Sequence, residues 1–333
     1  MRIALDAMGG DFAPEVTVAG AIESVNENDV HVVLVGDQEV LRESLRSKKY
    51  PPERISIVHA SEVVRMHESP SIALRRKKDS SIRRAVDLVK HGEAQAAISA
   101  GHSGVAMATA LFVLGKLPHV DRPAIATVMP SLTGSFVLID VGANVDSKPE
   151  NLLQFALMGE AYYRTIFKVE APRIALLSIG EEDTKGNELT KETFKLLKAA
   201  PLNFIGNIEG KDVFVGSADV IVCDGFIGNV VLKVSEGLAD TIIKMLKREI
   251  SNVATGRIGF MMLRPALKSF KRKTDYSEYG GAPLLGINGT CIISHGRSSA
   301  RAIKNAIRIA AEMSEERVNE LISANLGNLN DKG

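Results

Sequence analysis

Tryptophan is missing from this 333-residue chain, and cysteine occurs only twice, at Cys223 and Cys291. Each cysteine lies alone in an apolar run, which excludes a disulfide framework and fits a reducing compartment. The seven histidines are scattered, and neither they nor the cysteines show a ligand spacing, so no metal centre is expected. There is no P-loop, and no G-x-G-x-x-G follows the first strand, which leaves Gly9-Gly10 as a weak dinucleotide signal. Around Ser103 the G-x-S-x-G spacing of a nucleophile elbow is also lacking. Neither a metal nor an organic cofactor is expected.

The N-terminus enters an apolar run at Arg2–Asp6, so no signal peptide is expected. Ala94 to Gly115 contains no Asp, Glu, Lys or Arg over 22 residues. Ser99-Ala100-Gly101-His102-Ser103-Gly104 in its middle reads as a loop between a buried strand and a buried helix, not as part of a membrane span. A net charge of +1 argues against a general nucleic-acid binder. The charge is unevenly placed, however. Arg75–Arg84 holds six basic residues and one acid, and Lys244–Lys273 holds nine and one. Two basic patches on an acidic body predict local anionic contacts. With 45% hydrophobic and 24% charged residues, the chain can bury one large core, and a single α/β domain over 1–333 is expected.

Asp219–Lys233 organises the rest. Val220-Ile221-Val222-Cys223 has the length and branching of a buried strand, Asp224-Gly225 reads as a turn, and a helix is expected from Gly228-Asn229. That helix carries an i, i+4 apolar seam through Val230, Val234, Leu238, Ile242 and Leu246. Strand, glycine-punctuated turn and helix together present backbone N–H groups to an anion. Further strands are expected at Arg2–Asp6, His31–Val35, Arg54–His59, Ala96–Ser99, Ala124–Met129, Phe136–Ile139, Arg173–Ile179 and Ile287–Ser294. Helices are expected from Pro14, in the second half of Ser69–Lys90, beyond Ser103, over Pro149–Phe167 and over Arg297–Ala324. The segment near 251–283 loses periodicity. Alternating strands and helices predict a three-layer, doubly wound, mostly parallel sheet. Polar loops after Asp6, Ser99, Asp140, Ile179, Cys223 and Ser294 are then expected along one rim.

That rim offers glycines, amides, hydroxyls, carboxylates and one lysine, Lys185. Such a set suits the positioning of phosphate without a metal or a covalent intermediate. Cys223, at a buried strand end, is expected to pack, and His102 either caps the next helix or serves the site.

Several runs occur in a particular order: Asp6-Ala7-Met8-Gly9-Gly10-Asp11, Asp140-Val141-Gly142-Ala143-Asn144, and Gly180-Glu181-Glu182 through Lys185-Gly186-Asn187-Glu188. Cys223-Asp224-Gly225-Phe226-Ile227-Gly228-Asn229, Gly280–Gly286 and His295-Gly296 complete the series. With these the chain resembles the bacterial phosphate acyltransferase (PlsX) family over nearly its whole length. One loop departs from the A-G-N-T-G-A usual there, reading Ala100-Gly101-His102-Ser103-Gly104-Val105. The resemblance implies a phosphotransacetylase- and isocitrate dehydrogenase-like fold, a homodimer, and formation of acyl phosphate from acyl–acyl carrier protein and inorganic phosphate for phospholipid synthesis. Lys185 is expected to neutralise charge, and Asn229 to contact the oxyanion or phosphate. Phosphate or substrate contacts are expected from Gly9, Gly10, Gly101, Ser103, Asn144, Glu182, Asn187, Asp224, Gly225, Gly228, Gly281 and His295.

Arg75, Arg76, Lys77 and Lys78 are expected to dock the acidic carrier protein. A protruding element over 244–273, with Phe260, Met261, Met262, Leu263, Lys268 and Lys271, is expected to meet a partner subunit or an anionic membrane surface. A cytoplasmic enzyme peripherally associated with the membrane, beside the membrane glycerol-3-phosphate acyltransferase, follows from that reading. The alternatives are a nicotinamide-dependent dehydrogenase of the related fold and a non-catalytic scaffold of lipid synthesis.

Overall fold

Strand propensity and burial agree along the N-terminal half. β1 (Arg2–Asp6), β2 (His31–Gly36), β3 (Ile55–His59) and β4 (Ala96–Ser99) are short runs of aliphatic residues pairing in parallel. They belong to a computed structural model that describes residues 1–252, 265 and 279–330. The membrane-contact positions expected at Phe260, Met261, Met262, Leu263, Lys268 and Lys271 lie outside the described residues.

Helices connect these strands. α1 (Glu15–Glu27) follows β1, α2 (Gln38–Leu45) follows β2, and α3 (Pro70–Arg76) and α4 (Ser81–Lys90) lead to β4. Only the second half of Ser69–Lys90 was expected to be helical, but Pro70 at the first position starts α3 as well. α4 buries Ile82, Ala85, Val86 and Leu88 as one stripe. Each of the larger side chains among them stabilises the fold by about 1.5–3 kcal/mol on full burial.

The C-terminal half holds β5 (Ala124–Ser131), β6 (Gly134–Ile139), β7 (Ile174–Leu177), β8 (Phe204–Ile208) and β9 (Val220–Val222). Its helices are α6 (Pro149–Phe167), α7 (Glu188–Ala199) and α8 (Gly225–Asn252), while α5 (Ser103–Leu114) follows β4. β10 (Ala282–Leu285) and β11 (Thr290–Ile293) return to the sheet, and α9 (Ala300–Glu315) and α10 (Val318–Asn330) close the chain. β10 thus takes up the end of the segment near 251–283 expected to be irregular. The closing helix, expected unbroken over Arg297–Ala324, divides between Glu315 and Val318, with Arg317 in the left-handed region at φ 54°.

Among the described residues, the strands form one sheet in the order β3-β2-β1-β4-β11-β10-β5-β6-β9-β7-β8. Side chains alternate across it. Ile3, Leu5, Val32 and Leu34 join one core with α1, α6 and α9, whereas Ala4, Val33 and Val35 join another with α4 and α5. The sheet is therefore the middle of three layers.

Strand direction corrects the expectation of a single rim. β10 runs antiparallel to both β11 and β5, and β5 runs antiparallel to β6. β6, β9, β7 and β8 are mutually parallel. The rim that holds the carboxyl ends of β1, β4 and β11 therefore holds the amino ends of β10 and β6. Loops after β6, β7 and β9 leave from the opposite rim, so the polar loops form two groups.

α8 also differs from expectation. It begins at Gly225, three residues early, and its seam of Val230, Val234, Leu238, Ile242 and Leu246 is exposed rather than packed on the sheet. Phe226, Ile227 and Met245 extend that exposed apolar face.

One ion pair ties β7 to β9. The Arg173 guanidinium donates from Nε and Nη2 to Asp219 at 3.0 and 2.8 Å, and the Arg173 backbone N–H donates to the same carboxylate at 2.8 Å. Burial pushes the Asp219 carboxyl up, but Arg173 more than offsets it, and the net value falls below the ordinary 3.8. A lowered folded-state pKa stabilises the fold above the unfolded value, and that contribution is lost as pH falls through the folded value. Asp219→Asn is expected to cost about 1–2 kcal/mol at pH 7, allowing for the half-exposed arginine. Denaturant unfolding should show the gap from the parent protein shrinking below about pH 4. A gap independent of pH would contradict this assignment.

Candidate active site

The loop after β6 is built around Asp140, which is wholly buried. Its Oδ1 accepts from the backbone N–H groups of Ile125, Gly142 and Ala143 at 3.0–3.2 Å. Its Oδ2 accepts from the backbone N–H of Asn144 at 2.7 Å and from Asn144 Nδ2 at 2.9 Å. Burial pushes the carboxyl above its ordinary range, and the donors offset only part of that rise. Asn144 Nδ2 also donates to the Pro123 carbonyl at 2.8 Å, so this expected substrate contact is committed to holding the loop.

α8 starts against this loop because two glycines let it. A β-carbon at Gly225 would collide with Asn144 and the Asp140 carboxylate, and one at Gly228 with the Asp140 carbonyl. Asp224 holds the junction, accepting from the N–H of Ser147 at 3.2 Å and of Phe226 at 2.9 Å. Asn229 is exposed, and its side chain lies over Gly142. No hydrogen bond occupies its amide among the described residues.

The loop after β7 carries Glu182, Lys185 and Asn187, all exposed. Asn187 caps α7, its Oδ1 accepting from the Thr190 N–H at 2.9 Å. The Glu182 carbonyl accepts from Asn207 Nδ2 at 3.0 Å, which pins this loop to β8. The Lys185 stem lies against Gly180, and Lys185 makes no ion pair among the described residues. Asn187 and Asp224 line one cavity of about 340 Å³ with Ser147, Thr190, Leu177 and Ile227. That cavity joins the loop carrying Lys185 to the helix start carrying Asn229.

Gly9, Gly10, Gly101, Ser103, Gly281 and His295 belong to the other rim. Gly10, at φ 110°, faces the carbonyls of Ala100 and Gly296, and the Asp11 N–H donates to Gly296 at 2.8 Å. Gly281 lies beside Ser294 and the end of β11. Ser103 and His295 are exposed, and His295 Nδ1 accepts from the Arg297 N–H at 3.1 Å. His102 caps α5, with Nδ1 accepting from the Val105 N–H at 3.4 Å.

A buried pair beneath this group escaped the sequence reading. Ser99 Oγ donates to Asp6 at 2.7 Å, and burial pushes the Asp6 carboxyl up. An acid closing an apolar strand was the available signal. The cavity around Asp6, Gly9 and Gly101 is about 10 Å³, room for about one water molecule. A hollow of about 500 Å³ between α2 and β3 is larger and more open, but it holds none of the expected site residues. The α7–α8 cavity, by contrast, adjoins the elements that carry the unengaged Lys185 and Asn229.

Of the expected docking cations, Arg75, Arg76 and Lys78 are exposed. Lys77 turns inward, donating to the Val63 carbonyl at 2.6 Å and to Glu68 at 2.7 Å. Exposed Ile72 and Phe112 lie on the helices that flank the patch, α3 and α5, and Arg83 sits 5.9 Å over the Phe112 ring.

The sequence model of the fatty acid synthesis protein family matches residues 1–321. A phosphate acyltransferase from Thermodesulfovibrio yellowstonii is 60% identical over 332 residues, covering 100% of this chain and 96% of its own. One from Geobacter sulfurreducens is 55% identical, covering 97% of this chain and 93% of its own. A phosphotransacetylase from Streptococcus pyogenes superposes with a TM-score of 0.65 at 20% identity, covering 95% of this chain and 94% of its own, a likeness of fold.

Burial pushes the Cys223 thiol well above its ordinary range, with Asp140 and Asp224 adding to the shift, and pushes the Cys291 thiol up to about 12. Neither is a competent nucleophile at neutral pH. In the native protein neither of the two thiols should react with Ellman's reagent on the timescale of catalysis, and both should react in denaturant. A native thiol that reacts rapidly would reopen the covalent route.

Proposed function

The chain belongs to the fatty acid synthesis protein family, whose relatives are phosphate acyltransferases, and from that premise we propose that this acyltransferase makes acyl phosphate from an acyl–acyl carrier protein thioester and inorganic phosphate. A phosphate oxygen attacks the thioester carbonyl, and a tetrahedral oxyanion forms. The carbon–sulfur bond then breaks to release the carrier thiolate, which takes a proton from solvent. Phosphate is already an anionic nucleophile near pH 7, so positioning and charge stabilisation carry the rate rather than a strong base.

The observation that carries this reading is that the loop of Lys185 and the first turns of α8, which hold Asn229, border one cavity, with each of the two side chains unengaged among the described residues. Lys185 neutralises the phosphate and the developing oxyanion, and Asn229 donates from its amide beside the amino end of α8. Asp140, Asn144, Asp224 and Asn187 hold these two loops. For Asp224 this replaces the phosphate contact expected earlier, because a carboxylate facing phosphate is repulsive. Gly225 and Gly228 act by admitting the helix start. Ser103 and His295, with Gly9, Gly10, Gly101 and Gly281, offer further substrate contacts on the other rim. The dehydrogenase and scaffold alternatives lack comparable support.

Arg75, Arg76 and Lys78, with Ile72 beside them, suit the acidic surface of the carrier protein. The exposed apolar seam of α8 supports a homodimer, since a soluble surface rarely leaves so long an apolar face uncovered. Lys244, Lys247 and Arg248 near the end of α8 begin the basic run through Lys273. That run supports contact with an anionic membrane surface, where acyl phosphate would pass to a glycerol-3-phosphate acyltransferase.

Loss of acyl carrier thioester, followed with and without phosphate, tests the activity. The wild-type protein should consume the thioester only when phosphate is present. Lys185→Ala and Asn229→Ala should each lower turnover by at least about 100-fold. Near wild-type turnover in both folded variants would sink the assignment of these residues, and phosphate-independent loss would sink the reaction.

A further inference from the structure

The cavity beside α8 has a chemistry that separates it from the phosphate-handling groups. Leu152, Leu177 and Cys223 form its buried floor, at 1%, 8% and 3% exposure. At its mouth Val145, Phe226 and Ile227 are 62%, 59% and 46% exposed. Among the described residues no Lys, Arg or His lines it, and Asp146 and Asp224 do. A phosphate or a carboxylate is therefore excluded as its occupant on charge.

Some polar groups on its wall are engaged already, while Ser147 Oγ is buried without a partner among the described residues. Asp224 accepts from Ser147 and Phe226, and Asn187 Oδ1 accepts from Thr190. The Ser147 hydroxyl is the one buried polar group of the lining left for a ligand to meet. An apolar floor and an apolar exposed mouth suit an uncharged hydrocarbon ligand. A volume of about 340 Å³ lies at the small end of the roughly 300–1,000 Å³ of small-ligand pockets and suits a single narrow chain.

We propose that this cavity receives the acyl chain of the substrate and that Leu189, half-buried in the first turn of α7, sets which chain lengths enter. The proposal rests on the acyl phosphate reaction above. Asn229 is two residues beyond Ile227, and Lys185 is four before Leu189. A chain seated here has its carbonyl at the mouth, beside the elements that carry Asn229 and Lys185. The hydrocarbon then leaves water as the thioester reaches its attack geometry, so chain length is read in kcat/KM.

The test compares kcat/KM for palmitoyl and butyryl thioesters of the carrier protein, with phosphate, in the full-length wild type, Leu189→Trp, Leu189→Ala and Phe226→Ser. Filling the cavity in Leu189→Trp should lower the palmitoyl-to-butyryl ratio by at least about 10-fold. Enlarging it in Leu189→Ala should shift the ratio toward the longer chain. Phe226→Ser, at the exposed mouth, should lower the ratio and gives the readout if the tryptophan variant fails to fold. Folded variants whose ratio stays within about 2-fold of wild type, whether or not both substrates slow, would overturn the acyl assignment. A wild-type protein that turns over neither thioester would instead overturn the underlying reaction.

Discussion

The buried carboxylate of Asp140 accepts hydrogen bonds from four backbone N–H groups and one side-chain amide, drawn from the start of β5 and the loop after β6. Removing it would leave several buried donors unpaired, each at a cost of about 1–3 kcal/mol. The cluster also fixes the next element. Gly225 and Gly228 allow α8 to rest against Asp140 and Asn144, and that contact decides where Asn229 stands. A buried carboxylate thus sets the position of the exposed Asn229 amide. Backbone donors satisfy a buried carboxylate without mobile counter-charges, which suits a site where an anion must enter nearby.

The reversal of strand direction across β10 and β5 shapes everything beyond that cluster. The N-terminal rim gathers Gly10, Gly101 and Gly296 in tight backbone contact over the buried Asp6–Ser99 pair, with almost no empty space. The C-terminal rim leaves a cavity between α7 and α8, beside the elements that carry Lys185 and Asn229. The two rims share a sheet and a core, yet differ in how much space they leave. α8 runs from the edge of that cavity into a long exposed apolar face.

Much of the fold was legible from runs such as Ile3–Leu5 and Val220–Val222, because aliphatic segments bounded by polar turns have few other uses. Strand sense was not. Whether β6 runs with or against β11 depends on pairings distant in sequence, and local pattern carries no record of them. The α8 start was missed because Gly225 looks like a turn residue, while its actual use is close approach to Asn144. The candidate site was legible in place more than in role. Asn144, Asn187 and His102 have side chains that suit a ligand contact, but the same groups cap helices and bind loop backbone, and here they do. Lys77 was grouped with its neighbours by charge, yet its Glu68 partner lies on the preceding turn. Cys223 was read as packing, and its burial agrees.

The central claim is that Asp140 acts through the placement of Asn229. A double-mutant cycle on phosphate-dependent turnover, with Asp140→Asn, Asn229→Ala and the pair, tests it most directly. The account predicts strong non-additivity: once Asn229 is gone, removing the Asp140 charge should slow turnover little further in protein that remains folded. Losses that simply multiply would show that the two residues act independently, and would contradict it.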